Sequence, residues 1–418
     1  MKPDTLQIIA ALVFAAAIGH TFASTWLLRL AHHSKRHGAA LHLLGEIECV
    51  FGLWALVLIG VMAALQGTSS AVDYLEQRSY VEPLFVFAVM VVAATRPVLA
   101  LSRKLVDAVA RVLPGNPAVT GYFATLCLLP LLGSFITEAA AMTVAALVLR
   151  DRLYAAGPST RLQYATLGVL LVNVSIGGTL TTFAAPPVLM VAGSWGWDNA
   201  YMMEHFGWRA ALAVVVNALL TTLLFRGELR KLAAPTKASQ APPPVAVTLV
   251  TLLFLVAVVV FAHHPPVFLG LLLFFIGFAT AYPQYQDRLI VREALLVGFF
   301  LAGLVVLGGL QQWWLQPLLQ GMSAGAVFYG TTVLTAFTDN AALTYLASLV
   351  QGLDEDFKRA IVAGAVTGGG LTVIANAPNP AAFAMLKHRF AGHTITPLGL
   401  LLAALGPTAV AIAAFRLL

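Results

Sequence analysis

Apolar residues run through this chain in long blocks separated by short polar turns, and the pattern persists from end to end. About 20 apolar residues cross the hydrocarbon core of a bilayer as a helix. Spans are therefore expected at 6–30, 41–66, 84–102, 162–190, 208–226, 245–262, 266–283, 293–310, 360–386 and 396–416. Two further apolar segments, 118–149 and 322–350, are interrupted at mid-length by small and polar residues. Each can be a single span. We read each as a re-entrant hairpin with both ends on one side, which lipid permits only where the tip is buried in protein.

The second tip, Ala336–Thr344, sets the first chemical question, because Asp339 and Asn340 stand midway along an apolar segment. An ionised carboxylate in hydrocarbon costs at least ~2.5–3.5 kcal/mol. The cost is tolerable where the group meets water, a cation or a protein partner.

Composition agrees with the pattern. Of 418 residues 60% are hydrophobic and 10% charged, with a mean hydropathy of +0.87, against about 25% charged in soluble domains. Cys49 and Cys127 both lie in apolar runs and offer neither a disulfide framework nor a metal cluster. The net charge of +6 sits in short loops, where it reports topology rather than nucleic-acid binding. No phosphate loop or nucleophile cluster supports an ATP-driven pump or an enzyme.

With ten crossings and two hairpins, 17 of the 24 Lys and Arg fall on one side. Lys2, Arg78, Arg209, Lys358, Arg359 and Arg416 fall on the other, and Arg96 lies inside a span. The rich side is expected to be cytoplasmic, with both termini external, in the cytoplasmic membrane. A signal-peptide reading of residues 1–23 would put the basic loop 32–37 outside, so the first segment is kept as a helix.

A polar, proline-rich linker, 235–244, separates a first repeat (1–234) from a second (245–418). TEAAAMT (137–143) lines up with TDNAALT (338–344) at an offset of 201, making Glu138 the counterpart of Asp339. GGTLTTFAAPP (177–187) lines up with GGGLTVIANAP (368–378) at 191. Five crossings per half is odd, so the halves are expected to have opposite orientation. The expected fold is an all-α polytopic membrane protein, an inverted repeat of five spanning helices and one re-entrant hairpin per half, with discontinuous helices.

Gly177, Gly178, Pro186 and Pro187 make a continuous helix costly in the first half, as Gly368, Gly369 and Pro378 do in the second. Unwound turns there expose carbonyls beside Thr181, Thr182, Thr372, Asn376 and Asn379. With Thr137, Glu138, Thr338, Asp339 and Asn340 from the tips, these supply hard oxygen ligands for sodium. Two neighbouring carboxylates bind sodium or protons in competition, which is the basis of antiport. His42, Glu46 and Glu48 mark a possible proton pathway: His42 and Glu46 share a helix face, and snorkelling to the interface is the competing reading. Asn173 and Ser175 are placed to line the first unwound turn, His20 to pack, and Trp195, Trp197 and Trp208 to anchor at the external interface.

At these residues the chain resembles the ion transporter superfamily, which includes NhaD-type sodium/proton antiporters, arsenite permeases and sodium/dicarboxylate symporters. The resemblance rests on Ile136–Met142 with Gly177–Pro187 and on Phe337–Leu343 with Gly368–Pro380. The second span, HLLGEIECVFGLWA (42–55), looks most like the sodium/proton antiporter group. It implies secondary transport by alternating access, one inward-opening and one outward-opening hairpin, elevator-like movement, a homodimer, and sodium and protons as transported species without a cofactor. Related carboxylate symporters carry Ser-Asn-Thr at the tips. Here Thr137-Glu138-Ala139 and Asp339-Asn340-Ala341 stand there, and acidic tips favour a cation. An anion carrier, with Asn340, Thr338 and helix-end amides holding the anion, is the alternative.

Overall fold

A computed structural model describes residues 4–33, 37–232 and 242–418. Among the described residues every regular element is helical. Seven helices there are long and apolar enough to cross a membrane, or eight if the bent pair Val81–Ala93 and Arg96–Val112 counts as one span. The chain is a multi-pass membrane protein. Residues 34–36 of the first basic loop, and the expected linker as far as residue 241, lie outside the described residues.

Two expected spans are not continuous. The one at 84–102 breaks between Ala93 and Arg96 and turns by 68°. Pro97 lies in the first turn of the second piece and lacks an N–H, while Thr95 is extended and donates its hydroxyl to Val92 O at 2.8 Å. The span at 41–66 divides at Glu46 into Gly38–Gly45 and Ile47–Gln66. Two short helices, Thr68–Glu76 and Gln312–Gln320, fall in segments expected to be loops.

The polar breaks unwind as the glycines and prolines demand. Thr160–Gly177 and Pro186–Trp195 flank the first break, Glu355–Gly368 and Asn379–Leu386 the second. The two broken helices cross where they unwind: a Cβ on Gly370 would overlap the Val172 backbone, and one on Gly369 would overlap Ser175 Oγ. Ser175 Oγ donates to Val366 O at 2.7 Å across this crossing. Small residues let backbones approach closely where lipid offers little hydrophobic drive for helices to associate. Gly52 and Gly303 do the same between Ile47–Gln66 and Val291–Gly308.

Proline also explains one buried amide. Pro130, inside Pro117–Ile136, cannot donate to Leu126 O. Asn173 Nδ2 does so instead at 2.9 Å, and also reaches Val214 O at 3.2 Å. Asn173 is thus turned to helix packing and away from the unwound turn it was expected to line. His20 packs as expected, between Leu44 O at 2.9 Å and the Trp54 indole at 3.0 Å.

Candidate ion-binding site

Both segments expected as re-entrant hairpins break at a helix N-terminus, and Pro117–Ile136, before the first break, is itself long and apolar enough to cross a membrane. Pro117–Ile136 and Glu138–Arg152 are joined by Thr137 alone, whose φ is 72°. A β-branched residue in that region is an outlier that surrounding structure must hold in place. Thr137 Oγ1 accepts from Ala140 N–H at 3.4 Å. A Cβ on Gly133 would stand 3.3 Å from Ala141 Cβ, so the arms fold back on each other. In the second hairpin, Ala324–Thr335 leads through 336–339 into Asn340–Ser348. Asp339 caps the second arm, Oδ1 accepting from Ala341 N–H at 2.8 Å and Ala342 N–H at 3.4 Å.

The same contacts recur in both halves. Glu138 N–H donates to Ala184 O at 3.5 Å, and Asn340 N–H to Ala375 O at 3.1 Å. Thr181 Oγ1 donates to Ser134 O at 2.6 Å, and Thr372 Oγ1 to Ala336 O at 2.9 Å. A Cβ on Gly177 would strike Pro130 O and one on Gly368 would strike Thr332 O; likewise Gly178 abuts the Glu138 side chain and Gly369 that of Asn340. The separations are 191 residues along the broken helices (Thr181 and Thr372) and 202 along the hairpins (Ser134 and Ala336). The expected pairing of Glu138 with Asp339 is therefore displaced by one residue. Thr137 stands where Asp339 stands, both as caps, and Glu138 stands where Asn340 stands, because the cap and backbone contacts set the register.

Around the tips lies a set of buried oxygens. Glu138 is 1% exposed; its Oε2 accepts from Asn376 Nδ2 at 2.8 Å, and its Oε1 has no hydrogen-bond partner. Asn376 and Asp339 line one small cavity with Val297, Phe300, Val373 and Pro380. Asp339 interacts electrostatically with Glu138. Asn379 Nδ2 donates to Gly369 O and Thr372 O, both at 2.8 Å. Glu138 Oε1, Asn340 Oδ1, Asn376 Oδ1, Asn379 Oδ1 and Thr367 Oγ1 are all buried without a hydrogen-bond partner. Each such atom costs ~1–3 kcal/mol if left unsatisfied. Asn340 Nδ2 is likewise buried without a partner, so one unpaired donor lies beside these acceptors.

The chain matches the family described as "Putative Na+/H+ antiporter" over residues 5–418. It belongs to this family. No curated protein matches it. The family is one of transporters of sodium and protons rather than of enzymes.

Within this antiporter-family chain the expected site residues divide into two groups. Glu138, Asp339, Asn340, Asn376 and Asn379 converge on the tips and breaks, as described above. Thr181 and Thr372 direct their hydroxyl protons to hairpin carbonyls and tie each unwound segment to its hairpin. Thr182 Oγ1 donates to Asn199 Oδ1 at 3.1 Å, and Thr338 is half-buried. Pro186 and Pro187 open Pro186–Trp195, and Pro378 precedes Asn379–Leu386. Glu46 Oε1 lies 3.3 Å from His42 Nδ1 and 2.6 Å from Arg292 Nη2, an ion pair at the kink of the second span. The side chain of Glu48 lies outside the described residues.

Sequence reasoning missed Ser134 and Thr367. Ser134 Oγ donates to Gly177 O at 2.8 Å and accepts from Leu180 N–H at 2.9 Å, satisfying the open end of the first broken helix. Its position three residues before the tip was the available signal.

Proposed function

We propose that the chain exchanges sodium for protons by alternating access, with Glu138, Asp339 and the side-chain oxygens of Asn340, Asn376 and Asn379 forming one shared cation and proton site. The observation that carries this reading is the group of buried oxygens without partners around a carboxylate that is 1% exposed. A buried carboxylate is stable when it is protonated or when a cation neutralises it. A site that accepts either one, but not both, releases sodium when it takes up a proton.

The paired contacts at separations of 191 and 202 residues support a duplicated architecture, and the loop charges support halves of opposite orientation. In that arrangement the first hairpin opens from the cytoplasm and the second from outside. Alternating access then needs the two hairpins to expose one site in turn, between repeats 1–234 and 245–418. Thr137 and Thr338 complete the tips, and Thr181, Thr182 and Thr372 hold the unwound segments. The two carboxylates at the tips repel an anion, which weighs against the anion-carrier alternative.

The test uses everted membrane vesicles with a pH-reporting dye. Sodium is expected to collapse a respiration-driven proton gradient, and Asp339→Asn and Glu138→Gln are expected each to abolish the response. A response in wild type that does not depend on sodium would overturn the reading.

A further inference from the structure

Three of the six basic residues left on the sparse side of the charge count meet in one place. Arg209, Arg359 and Arg416 line a cleft of about 360 Å³ between the start of the second hairpin, the start of the second broken helix and the last helix. Asp356 is the carboxylate among the lining residues, and it pairs with Arg359 Nη2. Arg359 Nη1 also lies 3.0 Å from His205 Nδ1. Arg209 directs its Nη atoms to His205 O and Leu418 O, and its Nε is buried without a hydrogen-bond partner. Arg416 rests on the faces of Phe328 and Tyr329, 5.4 and 5.8 Å from their centroids, and no ion pair to it occurs among the described residues.

Three guanidiniums against one carboxylate repel one another. The first turns of Ala324–Thr335 and Glu355–Gly368 border the same cleft; the second is capped by Asp354 and carries Glu355 and Asp356, whereas the first holds no acid and adds positive partial charge. A cation placed at a helix N-terminus is unfavourable, and an oxyanion in the cleft relieves both this and the repulsion among the guanidiniums, with Asp356 alone opposing it. Guanidinium forks match a phosphate group in geometry as well as charge.

We propose that this cleft is a phosphate-type oxyanion site, held by Arg209, Arg359 and Arg416. The group can arrive as free inorganic phosphate or on the headgroup of an anionic phospholipid. The site is separate from the cation site and does not depend on that assignment.

The test measures thermal stability of the full chain in detergent at constant sodium. Phosphate is compared with chloride at equal ionic strength, and phosphatidylglycerol with phosphatidylcholine. Saturable stabilisation by phosphate identifies the free anion, and stabilisation by phosphatidylglycerol alone identifies the lipid. Arg416→Gln orphans no carboxylate and is expected to weaken the apparent affinity about tenfold. Asp356→Asn removes the competing carboxylate and is expected to tighten it. The proposal is overturned if neither ligand stabilises the wild type saturably, or if Arg416→Gln and Arg209→Gln both bind as wild type does.

Discussion

Asn376 Nδ2 donates to Glu138 Oε2 at 2.8 Å, joining the unwound segment of one half to the hairpin tip of the other. The other oxygen, Oε1, has no hydrogen-bond partner, so this amide is the side-chain donor that fixes where the carboxylate points. Asn376→Ala leaves both oxygens without a donor. The half-maximal sodium concentration for dye response in everted vesicles is expected to rise at least about tenfold, the equivalent of one buried hydrogen bond. Asn376→Asp does not rescue it, because an ionised carboxylate cannot donate. An unchanged sodium titration in both variants would refute the role.

Asp339 serves two ends that substitution can separate. It caps Asn340–Ser348 through Ala341 and Ala342 N–H, and its carboxyl group lines the cavity. Asn caps a helix about as well as Asp. Asp339→Asn is therefore expected to keep the melting temperature of the purified protein while abolishing sodium-dependent proton exchange. Asp339→Ala is expected to lose both, with the cap costing ~1 kcal/mol. If Asp339→Asn exchanged protons normally, the carboxylate would be a cap and nothing more.

Fold features are most legible in this sequence where one residue's chemistry is enough. Prolines, paired glycines and an acid in an apolar run located the breaks and tips, because each violates the requirement that lipid-exposed backbone satisfy itself. The bend at Thr95 was missed because hydropathy averages over a window and hides a single extended residue before a proline. The register of the tips was off by one because matched letters were weighed where cap geometry decides. Ser134 and Thr367 were invisible because their meaning depends on which carbonyls and oxygens they face across the fold. The arginine cleft was present only as unexplained exceptions to a charge rule, since Arg209 and Arg416 are far apart in sequence.

Gly178 and Gly369 are predicted to matter sterically, since neither has a positive φ. A Cβ on Gly178 would stand 2.5 Å from Glu138 Oε1, displacing the carboxylate rather than the backbone. Gly178→Ala is expected to fold and to raise the half-maximal sodium concentration about tenfold or more, because the displaced oxygen loses its place among the ligands. Gly60, with nothing within 4 Å of its Cβ position, is the control. Gly60→Ala leaves transport unchanged. Equal behaviour of the two variants would separate Glu138 from the ion.

Glu355 gives a pH signature outside the spans. Partial burial pushes its carboxyl up, but donors from Lys358, Tyr201 and Trp197 outweigh this and hold it below the usual carboxylate range. A carboxyl lowered on folding contributes stability that is present above the unfolded value near 4.5 and is lost as pH falls through the folded one. The wild type is expected to melt above Glu355→Gln at pH 7, with the gap closing below about pH 4.5. Because the group is half exposed, the gap is small. A gap that is constant down to pH 3 would assign it to packing alone.

Orientation yields the last prediction. If the basic loops face the cytoplasm, Gly227 lies inside and Gln77 outside, and both are exposed. In single-cysteine versions lacking Cys49 and Cys127, a membrane-impermeant maleimide is expected to label Gln77→Cys in intact cells. It is expected to label Gly227→Cys only in everted vesicles. Seven or eight candidate spans leave the number of crossings between these positions open to either parity, so the experiment discriminates. Labelling of both from one side would mean an even number of crossings between them, either because 118–149 crosses as a span or because the bent pair Val81–Ala93 and Arg96–Val112 does not. The two halves would then share an orientation, and a single site exposed alternately by opposed hairpins would have no structural basis.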